Sequence, residues 1–510
     1  MAGFYLTTAI DYSNGEPHLG HTVEKVGADV IARYRRAIGD DVHFVIGMDE
    51  HGQKVAQAAA RAGVSPQEWV DAIAGSFLDV WAALDISNDD FIRTTEPRHE
   101  SGVRALIERI AESDDFYSAK YEGYYCAGCE AFKKEDELAD GQCPLHPRRS
   151  IEWTEEENTF FRLSKYRDVL LEHVRSHPEF VRPSSRRNEI VKLLEGGLED
   201  ISASRSRISW GVDFPGVEGH SVYVWFDALP NYITAVGFPD GPEFERRWPA
   251  ELHIIGKDIT RFHCVIWPAM LLAAGLELPR SVWAHGFINF SGGKLSKSAG
   301  KTLEVPDLID RHGPDALRYF LMREIPWDAD RGFGSSEDFV TQFDRRYTAD
   351  LANDLGNLLN RVVAMVAKYR DGAVPPTSLG AASDLQAGAR EALVRYRSRM
   401  EDLRLHQGIA AALDLVRAAN GFVDETQPWG LARAEGEGGD REALDMVLGD
   451  LVRALGAVAA MLAPFMPRKA AEIWIALGGV GDAPGLVDLE SRLDELSRVA
   501  KGPVLFPRPE

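Results

Sequence analysis

The chain opens on an apolar, β-branched run, Phe4-Tyr5-Leu6-Thr7-Thr8-Ala9-Ile10, which predicts a buried strand. Asn14-Gly15 and Pro17 mark a turn, and a helical pattern follows from about His21 to Ile38. Val42–Ile46 reads as a second strand, and after Gly47 a helix is predicted near Gln53–Ala62. Strand, helix, strand, helix predicts a parallel sheet. The same grammar returns with a strand at Leu252–Ile255, a helix at Phe262–Ala274 and a strand at Val282–Phe290. The segment between, rich in turn residues, reads as an insertion splitting one nucleotide-binding fold. Beyond about residue 335 the strand pattern ends. Amphipathic helices are predicted over Arg345–Val366, Ala387–Asp402, Gly408–Phe422, Arg441–Leu462 and Pro467–Leu477, separated by loops at 372–376 and 436–439. This reads as an antiparallel helix bundle, with no internal repeat of solenoid period.

A length of 510 residues fits several domains, and 45% hydrophobic with 27% charged residues is a globular composition. The balance of 57 basic against 79 acidic residues, −22 net, excludes binding of nucleic acid by bulk positive charge but not by a local surface. No apolar run reaches a membrane span, and the N-terminus carries no signal-like segment, so a cytoplasmic enzyme is expected. A mature organelle protein whose transit peptide had been removed would read the same. Four cysteines make no secreted disulfide framework. Three of them crowd between residues 126 and 143 and point to a metal.

Four constellations carry chemistry. Pro17-His18-Leu19-Gly20-His21 falls between the first strand and its helix, where free N–H groups and the helix dipole favour an anion. Gly20 allows close approach, and two imidazoles can donate to phosphate oxygens; the plain alternative is two surface histidines at a turn. Lys294-Leu295-Ser296-Lys297-Ser298, flanked by Gly292-Gly293 and Gly300, suits a mobile polyphosphate clamp or, more simply, a solvated basic loop. A P-loop ending at Gly300-Lys301-Thr302 fails because Leu295 stands where its first glycine belongs. Cys126-x-x-Cys129 and Cys143-x-x-His146 supply four ligands for one closed, structural zinc, with reduced thiols as the alternative. Tyr223–Leu229, read as an aromatic strand, and Gly256–His263 together suggest a pocket wall, unless the aromatics are ordinary core. Asp258, just after a strand, is placed to hold a ribose hydroxyl.

Taken together these residues resemble the class I aminoacyl-tRNA synthetases, and within them the methionine-specific family. His18-Leu19-Gly20-His21 and Lys294-Leu295-Ser296-Lys297-Ser298 match the two class signatures in order. Gly47-Met48-Asp49-Glu50-His51-Gly52, Tyr223-Val224-Trp225, Gly256-Lys257-Asp258, Phe262-His263 and the zinc knuckle single out the methionine branch. Asn353-Asp354-Leu355-Gly356-Asn357 and Gln427-Pro428-Trp429 extend the likeness into the helical part, so it covers nearly the whole chain. The resemblance implies a split Rossmann-type α/β catalytic domain with a zinc-knuckle insertion, followed by an all-α bundle. Its implied boundaries are 1–115 and 223–290 for the catalytic halves, 116–222 for the insertion, 291–340 for the signature-loop and stem-contact region, and 341–510 for an anticodon-binding domain.

The resemblance also implies site residues. His18, Gly20, His21, Gly256, Asp258, Ile288, Lys294 and Lys297 would hold ATP, with His18, His21, Lys294 and Lys297 acting in catalysis. Asp49 would meet the amino group of methionine. Ile10, Tyr12, Trp225, Ala228, Leu229, Tyr232, Ile259 and His263 would surround its side chain. Cys126, Cys129, Cys143 and His146 would hold zinc, and Asn357, Arg361 and Trp429 would read the anticodon of tRNA(Met). Magnesium would accompany ATP. The implied reaction is activation of L-methionine to methionyl adenylate and transfer to the terminal adenosine of tRNA. A monomer is expected, because the chain ends soon after the helical region.

Leucine replaces the usual isoleucine and methionine of the two signatures. Asp11, between two pocket residues, has no assigned role. A free-standing nucleotidylyltransferase has no use for the helical bundle. A zinc-knuckle nucleic-acid binder leaves both signature loops idle. A synthetase for a branched amino acid needs a larger editing insertion than 116–222.

Overall fold

A computed structural model describes residues 3–126, 131–133, 135, 138, 139, 141–144, 151–206, 210–290, 303–376 and 383–508. The catalytic core is a seven-stranded, all-parallel sheet. Its strands are β1 (Gly3–Thr8), β2 (Asp11–Tyr12), β3 (Asp41–Asp49), β4 (Asp90–Arg93), and then, beyond the inserted β5 (Phe116–Cys126), β6 (Ala131–Lys133) and β7 (Ile151–Phe161), the edge strand β8 (Val181–Arg182). After the short strands β9 (Ile201–Ser202), β10 (Ser204–Arg205) and β11 (Ser221–Val222), the sheet is completed by β12 (Leu252–Gly256) and β13 (Val282–His285). β1 lies between β3 and β12, so the chain winds outward in both directions from it. The crevice at the carboxyl ends of β1 and β12 is therefore a topological switch point, where open α/β sheets bind ligands.

The first predicted strand stops at Thr8 rather than Ile10. Thr7 pairs with Val45 and Asp11 with Met48, so one strand advances four residues while its partner advances three. The extra residue is a bulge at Ala9–Ile10, a device that re-aims side chains beside active sites. The predicted strand Val282–Phe290 is likewise two strands, β13 and β14 (Ile288–Phe290), broken at Gly286. A side chain there would collide with the carbonyl of Ala329, and β14 leaves the main sheet to pair with β15 (Arg331–Phe333).

Tyr223–Leu229 corrects the sequence reading most clearly, being a helix over Val224–Ala228 and not a strand. Val224, Trp225, Ala228 and Leu229 line one cavity, and their spacing is that of one helical face. Tertiary burial overrides the local β preference of Tyr, Val, Trp and Phe here. The helix expected over Phe262–Ala274 begins with a π turn, Phe262–Ile266, before Trp267–Ala273.

The insertion builds its own antiparallel sheet, ordered β6-β5-β7-β9, and also lends β8 to the core. Three bundle helices begin before their predicted starts, and Pro467–Ala476 ends one residue short of its predicted end. The first is the middle of a helical run from Ser336 to Arg370 with a π stretch at Tyr347–Gly356, and Asp384–Glu401 and Leu405–Thr426 follow. Arg441–Leu462, which matches its prediction, is almost wholly buried at the centre of the bundle.

The helix Leu19–Ala37 belongs to both halves. It packs on β1 and β3, while Tyr34 and Arg35 at its far end bond Glu401 of the bundle at 2.9 and 2.7 Å. Buried Arg318 pairs with Asp29 of that helix at 2.7 Å and donates to the carbonyls of Leu84, Pro464 and Phe465. Among the described residues no helix is long and apolar enough to cross a membrane.

Candidate active site

A cavity of about 500 Å³ opens at the switch point. The bulged segment brings Ile10 and Tyr12 to it, the first helix brings His18, Gly20 and His21, and the end of β3 brings Asp49. The helix Val224–Ala228 and the turn after it contribute Trp225, Ala228, Leu229 and Tyr232. Gly256, Asp258, Ile259 and His263 come from the end of β12 and the turn beyond, and Ile288 from β14. Every described residue expected to touch ATP or methionine thus lines one space. Lys294, Lys297, Cys129 and His146 lie outside the described residues.

His18 caps the helix Leu19–Ala37 in a reciprocal box. The Gly20 N–H donates to His18 Nδ1 at 3.2 Å, and the His18 N–H donates to His21 Nδ1 at 3.3 Å. A Cβ on Gly20 would sit 3.0 Å from the His18 ring, so the glycine makes room for the cap itself. Because each Nδ1 accepts, the neutral rings carry their protons on Nε2. Burial lowers the pKa of His18, and burial, His18 and Lys25 hold His21 well below the usual imidazole value. The result is two neutral donors at a helix N-terminus.

The opposite wall is aromatic. Trp225 stacks on Phe262 with centroids 3.7 Å apart. The Tyr232 hydroxyl lies 2.6 Å from His263 Nε2, and His263 Nδ1 lies 3.1 Å from the carbonyl of Ile259. The carbonyl can only accept, so Nδ1 bears the proton and Nε2 accepts from Tyr232. Burial lowers the His263 pKa to about 4, so the ring is neutral. An uncharged, polarizable wall with its polar atoms already paired suits a soft apolar side chain.

Two charged clusters brace this site without a sequence signal. Lys25, fully buried, donates to Asp11 Oδ1 at 3.0 Å, Glu24 Oε1 at 2.7 Å and the Ala9 carbonyl at 3.0 Å, and Glu24 Oε2 meets His285 Nε2 at 3.1 Å. Burial pushes Asp11 up to about 7 against the pull of Lys25, whereas for Glu24 Lys25 and His285 outweigh burial and bring it to about 2. Behind Trp225, Asp227 lies 2.6 Å from His51 Nδ1 and 3.2 Å from His99 Nε2. Burial works against the Asp227 carboxylate, but the two histidines hold its pKa far below the usual range. Only the Asp-Glu-His run at 49–51 hinted at His51; Glu24 adjoins Lys25, but no local spacing announces that Ala9 and Asp11 meet it or that His285 joins Glu24.

In the bundle, Asn357 and Arg361 share one helix, Asn357–Arg370, and Trp429 begins the next but two, Pro428–Gly436, which packs against it. Trp429 is 44% exposed, so it is no core cap. Arg361 does pair with a carboxylate, Asp424 at 3.0 Å, on a partly exposed face. In the insertion, Cys126 and Cys143 are both fully buried.

A doubly wound parallel sheet with a histidine-capped helix at its switch point is the catalytic architecture of a class I tRNA synthetase. The family model described as tRNA synthetases class I (M) matches residues 4–151 and 147–363, and the chain belongs to that family. More narrowly, it belongs with the methionine–tRNA ligases. It is 43% identical to the Methionine--tRNA ligase of Caldanaerobacter subterraneus over 99% of this chain and 78% of the relative. It is 41% identical to that of Streptomyces coelicolor over 99% and 97%. The structure superposes on Mycobacterium tuberculosis methionyl-tRNA synthetase in complex with methionyl-adenylate with a TM-score of 0.93, 40% identity and full coverage of both chains.

Proposed function

We propose that this enzyme activates L-methionine with ATP and charges tRNA(Met) in two steps. A methionine carboxylate oxygen attacks the α-phosphorus of ATP and pyrophosphate leaves. The terminal adenosine hydroxyl of tRNA then attacks the carbonyl carbon of methionyl adenylate and AMP leaves. A carboxylate is already ionised at neutral pH, so the first step turns on positioning and charge stabilisation.

The observation that carries this reading is the pairing, in one cavity, of two neutral Nε2–H donors with an aromatic, pre-paired wall. His18 and His21 would donate to the phosphates as charge develops, aided by Lys294 and Lys297, with ATP entering as its magnesium complex. Gly256, Asp258 and Ile288 would hold adenosine, Asp49 the methionine ammonium, and Ile10, Tyr12, Trp225, Ala228, Leu229, Tyr232, Ile259 and His263 the thioether. Asn357, Arg361 and Trp429 would read the anticodon. The domain boundaries given above, a cytoplasmic location and a monomeric state belong to the same reading.

Amino-acid-dependent ATP–pyrophosphate exchange across the twenty amino acids tests it. Methionine alone should support exchange; a different amino acid, or none, overturns the reading.

One zinc fits the insertion. The full burial of both Cys126, at the end of β5, and Cys143 suits thiolate ligands, and Cys129 and His146 would complete the set. Four protein ligands leave no open position, so the metal would only hold the fold. Metal analysis should give one zinc per chain, and Cys126→Ser should lower it; protein purified without chelators and lacking zinc refutes the site.

A further inference from the structure

The Lys25 ammonium is fully buried yet does not line the cavity. Burying an ammonium is costly unless every proton finds an acceptor, and here the three acceptors come from different places. Two lie in the bulged segment, the Ala9 carbonyl and Asp11 Oδ1. The third is Glu24, which passes the connection on to His285 at the end of β13. The Ala9 carbonyl also accepts from the Thr8 hydroxyl at 3.0 Å. Lys25 stands four residues beyond His21, hence on the same face of the same helix. A strap of buried charge therefore runs from the bulge to β13, with Asp11, Glu24 and His285 on the cavity wall and Lys25 joining them from behind it.

We propose that Lys25 is a positioning residue for methionine. By tying the Ala9 carbonyl and the Asp11 carboxylate to the helix that carries His18 and His21, it fixes where Ile10 and Tyr12 stand relative to the reacting end of the cavity. A bulge is held by one irregular residue and has few ladder bonds of its own, so a buried donor at its carbonyl decides its shape. Asp11, left without a role by its sequence position, is the second half of this clamp.

The inference rests on the reading of the cavity as the methionine site, and exchange kinetics separate the two. In Lys25→Met and Asp11→Ala the KM for methionine should rise about tenfold while the KM for ATP stays within about twofold. Asp11→Asn, which keeps an oxygen acceptor for Lys25, should recover most of the loss seen in Asp11→Ala. Thermal melts establish that the variants fold, and if Lys25→Met does not, the two Asp11 variants decide. Folded variants with an unchanged methionine KM overturn the proposal. So does a parallel rise for ATP and methionine, or an Asp11→Asn as impaired as Asp11→Ala. Absence of methionine-dependent exchange in the unmutated enzyme fells the reading and the inference together. Normal exchange with unaffected variants fells the inference alone.

Discussion

The rings of His18 and His21 are stacked, 3.7 Å between centroids and 11° between planes, with each Nδ1 engaged by a backbone N–H. The pair is both the helix cap and the outward-facing donor set. Protonation would place a hydrogen on Nδ1, destroying the cap bond and opposing two like charges at a positive helix end.

His21→Ala should therefore lower the exchange kcat by about two to four orders of magnitude, comparable to removing an oxyanion donor, with methionine binding in the absence of ATP little changed. Both pKa values lie below the ordinary imidazole value, so the rings stay neutral at pH 7 and activity should fall only on acidification below about pH 6.5. Steady-state exchange across pH checks the limb; a rate that rises on acidification contradicts it.

Trp225→Ala should weaken discrimination between methionine and its near-isosteres, because the stacked Trp225–Phe262 pair shapes the wall. An apolar pocket separates such substrates by only about 1–3 kcal/mol, so the loss will be modest. Asp49→Ala should weaken all amino acids alike. Relative kcat/KM values for methionine, leucine and norleucine decide between them.

Burial of neutral His263 makes the fold acid-sensitive. Its native pKa of about 4 lies below the unfolded value of about 6.5, so between these limits only the unfolded chain takes up the proton. This contribution is intact above pH 6.5 and is lost progressively as pH falls to about 4, for a total of roughly 3 kcal/mol. Denaturant melts of the enzyme and of His263→Asn over that range should show a shallower pH dependence in the variant.

Trp429→Ala should cut aminoacylation of tRNA(Met) by roughly ten- to a hundredfold while leaving exchange intact, since a base stacked on an aromatic is worth about 1–3 kcal/mol. The two assays share one active site and differ only in tRNA. Equal loss in both means Trp429 supports the fold instead.

Regular periodicity made much of this legible from sequence. The strand–helix alternation around β1 and β3, the boundaries of Gln53–Ala62 and Arg441–Leu462, and the two histidines at the helix start all follow from local pattern. What escaped depends on partners distant in the chain. Val224–Ala228 is a helix because one face must cover the cavity, and the bulge at Ala9–Ile10 exists only against β3. Asp11 gains meaning only when Lys25 arrives beside it. The ion pair of Arg361 with Asp424 joins residues from two helices that no local spacing relates.

Arg318 sits where the two halves of the molecule meet, its guanidinium shared between Asp29 and three carbonyls, two of them from the turn at Pro464–Phe465. Removing the Asp29 carboxylate would leave a buried cation without its counter-charge, so this joint is costly to disturb. On the proposed reading, in which Trp429 meets the anticodon, that joint would set the distance between Trp429 and the histidine pair, as a caliper's lock sets its jaws. On that reading the spacing would have to match the reach of a tRNA from its anticodon to its terminal adenosine.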